Sequence, residues 1–595
     1  MRGILARRGL ALLAFGVLSP LVVVAVALAF RTWVPVLDMA MTELRVRDVG
    51  GRHTPLVGLP GRIGQTLQEQ GSHPGPWSFY LVAPFYRLAG ARAWGMELAS
   101  CVINAALVGL LVWLGGRRFG PTGAAVFAAV AAVAVRGYGP NVLSHPWNPY
   151  FPVLLWLVAA IAAWLALDGN HWLATVVVAT TSVAAQTHVP YLVNAIALNA
   201  LVIGVIAWRV WRRGAPWRPL ATAFGVGALV WLAPFVEQLV RSPGNIGKLI
   251  RHFMGDSHEP AIGVGAAGRL VLAHLDWVRL AADLITRKDA FVHRAGVAGD
   301  PDQPLSLVGL VVLLAWLAAA VWAWRRRHST LLNLHAVVAT TLVVGFASST
   351  RIFGKVWFYL TLWMSTTALL MLVALVWTAV ILVRERDAGV DVRLAALVVA
   401  ALATVGSIVS AVGQRPPEEV QGENVALAMP DVTPVLDRDA RYVVFWQESI
   451  VPGSQGWAVF NELERRGFEV GTHATWHVAA TEHRVFAPGT FDAEVHVVSG
   501  GWISDWAADH PGAERIVTTD HRSAELRQRF DQLDQRVAER LTEIGRADLI
   551  EVVDRNLFGA SLDPDLPADI VDDLSEMILI GEPLAIFLAP PGSTN

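Results

Sequence analysis

The chain has 595 residues, 54% of them hydrophobic and 16% charged, with a net charge of −2. It is too apolar for a soluble protein and too long for one domain, and its near-neutral balance gives no reason to expect a nucleic-acid partner. Apolar runs of about 18 or more residues recur, each long enough to cross a hydrocarbon core roughly 30 Å thick.

The small net charge hides an asymmetry. Residues 1–413 carry 33 basic and 17 acidic side chains, and residues 414–595 carry 14 and 32. This predicts a polytopic α-helical membrane domain over 1–413 and an acidic, soluble α/β domain over 414–595. Lysine occurs only at positions 248, 288 and 355. Arginine in its place, with abundant Ala and Val, is the usage expected of a GC-rich genome such as an actinobacterial one. The single cysteine, Cys101, excludes an intramolecular disulfide and a cysteine-based metal site.

Eleven spans are expected, near 9–30, 92–114, 121–136, 149–167, 171–187, 189–208, 219–240, 303–324, 332–349, 357–383 and 393–413. Ala27-Leu-Ala29 has the form of a cleavage site, but the apolar stretch before it is longer than a signal peptide needs. The first loop lies outside in either case. Arg7-Arg8, Arg117-Arg118, Arg209 to Arg218, Arg325 to Arg327 and Arg384 to Arg393 all fall on one side if the spans alternate. The positive-inside rule then puts the N-terminus in the cytoplasm and the C-terminal domain outside the cytoplasmic membrane. Two outward loops are long, 31–91 and 241–302.

The first of these loops holds Asp38, Thr42, Glu43, Arg45 and Arg47, on what reads as a short helix over 38–47. On it Asp38, Thr42 and Arg45 share a face, and Glu43 with Arg47 forms an i,i+4 pair on another. Asp38 and Glu43 are five apart, so they do not converge on one metal. Asp38 can serve as a general base, its basicity raised by partial desolvation at the membrane edge. The plain alternative is a salt-bridged helix, Asp38 with Arg45 and Glu43 with Arg47.

Further along, His73-Pro-Gly-Pro76 leads into an aromatic segment, Trp77 to Arg87, of the kind that sits at a membrane interface. Ser144-His145-Pro-Trp147-Asn148 lies in the next outward loop, where Trp147 can stack on a sugar or isoprenoid and His145 and Asn148 can bond hydroxyls; otherwise it is a Pro-rich turn with a Trp anchor. His188 sits at a tight turn between spans and is either a ligand or a buried structural histidine. Arg351 and Lys355 are four apart in a short outward loop. On a helix they would share a face and clamp a phosphate, the alternative being two snorkelling anchors. Arg52 is another candidate clamp. No metal is expected: a divalent ion on Asp38, His53 and His73 is conceivable, but no ligand spacing supports it.

The tail begins after Gln414-Arg-Pro-Pro-Glu-Glu, a polar linker. Strands are expected at 441–446, 494–498, 515–518 and 584–588, with helices at 457–466 and 521–547. Its histidines and acids read as surface groups.

Asp38 with Glu43 after the first span, the strings Leu44-Arg-Val-Arg-Asp-Val49 and His53-Thr-Pro55, and His73-Pro-Gly-Pro76 resemble the first extracytoplasmic loop of GT-C glycosyltransferases, among them the protein O-mannosyltransferases and the lipid A aminoarabinose transferase. The likeness covers the membrane domain and implies a GT-C-like fold. It implies an inverting transferase that takes a hexose or pentose from a polyprenyl-phosphate donor to a cell-envelope glycan, lipid or protein. It also implies Asp38 as base and Glu43 as a second acid. No cofactor is implied, and the first outward loop has no adjacent acid pair to suggest a metal. Arg45, His73, His145, Trp147, Asn148, His188, Arg351 and Lys355 are the candidate substrate and phosphate ligands. Three rival readings are weighed. A flippase of lipid-linked saccharide should show repeated halves with polar groups at the midplane, and neither is visible. A polysaccharide ligase or polymerase would use a basic late loop, for which Arg251, His252, Arg287, Lys288 and Arg294 are available. A scaffold would depend on the tail alone.

Overall fold

The computed structural model describes residues 2–64, 66–67, 69–255, 259–386, 389 and 391–593. These divide into two compact units. One comprises 1–30, 55–63 and 71–415, and the other 31–54, 64–70 and 416–595. The first outward loop is divided between the two: residues 31–54 pack with the C-terminal segment that begins at 416.

The first unit is helical. Among the described residues seven helices are long and apolar enough to cross a membrane: Arg8–Ala29, Trp94–Ser144, Val189–Arg213, Leu307–Arg325, Ser329–Ser349, Met364–Arg384 and Val392–Val412. Arg218–Val230 and Leu232–Val240 add an eighth, bent by 45°. The protein is a multi-pass membrane protein.

Trp94–Ser144, at 51 residues, is not one rod. Gly120 leaves the helical region with φ 68° and ψ −157°. A Cβ on Gly115 would lie 2.5 Å from the Gly123 carbonyl oxygen, and one on Gly123 would lie 2.4 Å from that of Gly115. Eight residues along a straight helix are roughly 12 Å apart, so the segment doubles back as two packed helices, matching the spans expected at 92–114 and 121–136. The spans expected at 149–167 and 171–187 are shorter than anticipated. Val153–Leu167 and Leu173–Thr187 are 15-residue helices, roughly 22 Å long against a roughly 30 Å core. Every residue of the first is buried in protein. Pro149, Pro152 and Pro190 stand in the turns that bound them.

Between the bent pair and Leu307 lie four short helices, Asn245–Met254, Gly263–His274, Trp277–Thr286 and Ala290–Ala298. Arg294, one of the basic residues open to a ligase reading, is buried in an ion pair with Asp283.

The second unit is α/β. Its strands are β1 (Arg441–Gln447), β2 (Glu469–Gly471), β3 (Ala493–Ser499), β4 (Glu514–Thr519) and β5 (Leu584–Ala589). Their spatial order is β2-β1-β3-β5-β4, with β1 parallel to β2 and β3, and β5 antiparallel to β3 and β4. All four expected strands are present; β2, three residues long, is the addition. A helical insertion between β4 and β5 closes over Leu533, Val537, Leu541, Leu557 and Leu574. The Leu37–Asp48 helix packs against Ser454–Arg465 in this same unit.

Candidate active site

The expected helix at 38–47 is Leu37–Asp48, with eight of its twelve residues buried. Within the second unit its polar side chains reach across to the C-terminal domain rather than to each other. Glu43 is completely buried; its Oε2 accepts from Asn461 Nδ2 at 2.7 Å, and Arg465 Nε lies 3.3 Å from its Oε1. Arg47 donates to the Asn461 side chain at 2.6 Å and pairs with Glu464 at 3.3 Å. The expected Glu43–Arg47 pair is thus replaced by contacts to residues more than 400 positions away. Arg45, 2% exposed, donates to the carbonyls of Val478 and Ala479. It is neither a partner for Asp38 nor a clamp open to a phosphate.

At the end of the helix Asp48 takes two hydrogen bonds from Arg484, at 2.7 and 2.9 Å. Arg484 also donates to both oxygens of Glu464. Burial alone would push the Asp48 carboxyl up, but the hydrogen bonds from His483 and Arg484 outweigh it and hold the carboxyl below its ordinary value. His53 stacks on His483, ring centroids 4.0 Å apart. It is committed there, and among the described residues no group of three or more His, Cys, Asp or Glu side chains is placed to hold a metal.

Asp38 differs from its helical neighbours. It is half-buried, at the start of the helix, while its backbone carbonyl accepts from Thr42 Oγ1 at 2.7 Å. The residue before it, Leu37, has φ 43°, a conformation costly for a side chain with a Cβ.

The first unit brings most of the remaining candidates together. His73 lies in an extended stretch whose N–H bonds the Leu59 carbonyl and whose carbonyl accepts from Gly58. Gly75 of the same motif is pressed on Gln186: a Cβ there would sit 1.9 Å from Gln186 Oε1, so any side chain would have to displace that buried amide. His73 Nδ1 accepts from the Val189 N–H at 3.2 Å. Burial pushes this imidazole down to about 4. It is therefore neutral at pH 7, with its proton on Nε2. His145 is held in the same way. Its Nδ1 accepts from the Trp147 N–H at 3.1 Å, and burial lowers it to about 3. Burial, then the neighbouring His73, lowers His188 well below its ordinary value.

These rings form one continuous series. His73 lies 5.3 Å from His188, His188 6.0 Å from Tyr359, and Tyr359 5.4 Å from Trp147. Trp147 is 4.8 Å from Tyr150, which is 5.4 Å from His145. In the other direction Tyr359 is stacked near Trp357 at 5.9 Å. Trp357 carries two cations, the Lys355 Nζ at 4.8 Å and the Arg62 guanidinium at 5.4 Å from its ring centre. Two buried polar atoms along the series, His188 Nδ1 and Asn148 Oδ1, have no hydrogen-bond partner among the described residues. Such groups are costly unless a ligand or water completes them.

Arg351 stands apart. The helix before it ends at Ser349, so the shared helical face expected for Arg351 and Lys355 does not form. The Arg351 guanidinium lies over Phe353 at 5.9 Å. Arg62, Trp357 and Tyr359 are members that sequence reasoning missed; the aromatic run after Lys355 holds the last two, and Arg62 lies in the first loop.

Among solved structures, the fold is shared with ArnT from Cupriavidus metallidurans, known from a crystal structure bound to undecaprenyl phosphate. The two are 15% identical with a TM-score of 0.50, over 84% of this chain and 95% of that one. For the crystal structure of the same protein in the apo state the values are 16%, 0.50, 86% and 96%. The chain thus has the GT-C-like fold that its first loop suggests. No protein-family model and no curated protein matches it.

Proposed function

We propose that the protein transfers a sugar from a polyprenyl-phosphate donor to a hydroxyl of a cell-envelope glycan, lipid or protein, with inversion at the anomeric carbon. The observation that carries the reading is the ring series of the first unit. It runs from two exposed cations, Lys355 and Arg62, to neutral histidines and unsatisfied polar atoms. Cations at one end suit a phosphate; aromatic faces with neutral hydrogen-bonding groups suit a sugar. The fold likeness to a protein known with undecaprenyl phosphate bound supports the same substrate class.

In this reading Asp38 takes the proton of the acceptor hydroxyl. The acceptor oxygen bonds to the anomeric carbon as the bond from that carbon to the phosphate oxygen breaks. The electron pair leaves on the lipid phosphate; within the first unit Lys355 and Arg62 are the cations suited to bind a phosphate. His73, His145 and His188, being neutral, bind hydroxyls rather than phosphate; Trp147 and Tyr359 offer stacking faces, and Asn148 an acceptor. Arg351 remains available as an outlying anion ligand. The arginine clusters support a cytoplasmic N-terminus and an extracytoplasmic 416–595.

The test is the purified protein in liposomes with synthetic polyprenyl-phosphoryl hexoses and pentoses. One of them should yield free polyprenyl phosphate and a glycosylated acceptor. Lys355→Ala and Arg62→Ala should each raise KM for the lipid donor by about tenfold, the value of one charge-assisted contact. Movement of intact donor between leaflets with no glycosidic bond broken would contradict the proposal and favour a flippase.

A further inference from the structure

We infer that Glu418 is a second catalytic carboxyl, acting beside Asp38 by hydrogen bonding the sugar acceptor; the inference rests on the glycosyl-transfer reading. Both residues belong to the second unit although 380 positions separate them in the chain. The segment that carries Glu418 is laid directly on the one that leads into Asp38. Trp33 Nε1 donates to the Pro417 carbonyl at 3.2 Å. Gly422 is so close to residue 34 that a Cβ would sit 2.6 Å from the Val34 carbonyl oxygen.

A strained backbone position lies at one carboxyl and directly before the other. Leu37, just before Asp38, has φ 43°, and Glu418 itself has φ 50°. Residues with a Cβ pay for such conformations, which persist where the surrounding structure enforces them, often at functional sites.

The electrostatics agree with the geometry. Surrounding protein, and then the negative charge of Asp38, push Glu418 up to about 8. The Glu418 carboxyl therefore holds its proton more readily than an ordinary glutamate. Part of the residue's surface stays open to solvent, so an acceptor can reach it. A neutral carboxylic acid does what a carboxylate cannot: it donates a hydrogen bond. The pair then divides the work. Ionised Asp38 takes the proton of the attacking hydroxyl, while the Glu418 O–H donates to a second oxygen of the acceptor. That contact selects which hydroxyl faces Asp38. No proton is gained or lost by Glu418 in the step.

The experiment compares wild type, Glu418→Met and Glu418→Gln in the liposome transfer assay, with thermal melting to confirm folding. E418M removes the donor and should raise KM for the acceptor about tenfold or more, with KM for the lipid donor unchanged. E418Q keeps an N–H donor and should stay within about threefold of wild type. Wild-type transfer with unchanged acceptor KM in folded E418M would overturn the inference and leave the glycosyl-transfer reading standing. So would an E418Q loss as large as that of E418M. Absence of transfer by wild type would overturn both.

Discussion

A histidine closed off from water holds its neutral form because charging it there would forfeit its hydration. His73 and His145, lowered to about 4 and about 3, and His188, lowered further by His73, make this a property of the whole cluster. In the unfolded chain they titrate near 6.5. As pH falls below about 6.5 the unfolded state binds protons that the folded state refuses, so folded stability declines steadily toward pH 4. Thermal melting of the detergent-solubilised protein should show a midpoint that drops over pH 6.5 to 4. Replacing His73 and His145 together by Gln should flatten that slope. An unchanged slope would show that the imidazoles do not control it. The sequence singled out His73, His145, His188, Trp147, Asn148 and Lys355 only as separate candidate ligands; the first unit sets the three histidines and Trp147 in one ring series with Lys355 over Trp357 at its end. The sequence did not mark Arg62, Tyr359 or Glu418. Nothing local distinguishes an arginine in a loop, a tyrosine in an aromatic run, or one acid of a linker pair; only their distant partners do.

At the scale of elements, the Leu37–Asp48 helix shows how far a local pattern can mislead. Its length and position were legible, but its i,i+4 charge pair was not made. A tertiary partner with better geometry won: Glu43 found Asn461 and Arg465, and Arg47 found Asn461 and Glu464. Surface i,i+4 pairs are worth only about 0.3–0.5 kcal/mol, little resistance to a buried network. Arg484, tied to Asp48 and Glu464, is the bolt of that network. Arg484→Met takes the bidentate cation from Asp48 and leaves Glu464 only its pair with Arg47, and should cost about 3 kcal/mol. Limited proteolysis should then cut near residues 49–54 faster than in wild type, by about 10-fold or more. Equal rates would mean that the helix is held by its apolar face alone. The loop after Ser349 makes the same point. The spacing of Arg351 and Lys355 suited a helix, but the helix had already ended, and Lys355 joined Trp357 instead.

For the whole molecule, the charge asymmetry and the apolar periodicity made the architecture legible: a polytopic helical body, an α/β tail and nearly every element of each. What they could not reveal is that the second unit is assembled from pieces at opposite ends of the chain. No periodicity predicts such an assembly, because it depends on complementary surfaces rather than on local preference. Its consequence is functional. Asp38 sits among residues of the C-terminal domain, so that domain contributes to setting the environment of the proposed base. The most direct test is Asp38→Asn in the liposome transfer assay. The account predicts that glycosyl transfer falls by about 10²–10⁴-fold, with the melting temperature and KM for the lipid donor near wild type. A folded D38N protein that transfers sugar at the wild-type rate would contradict it.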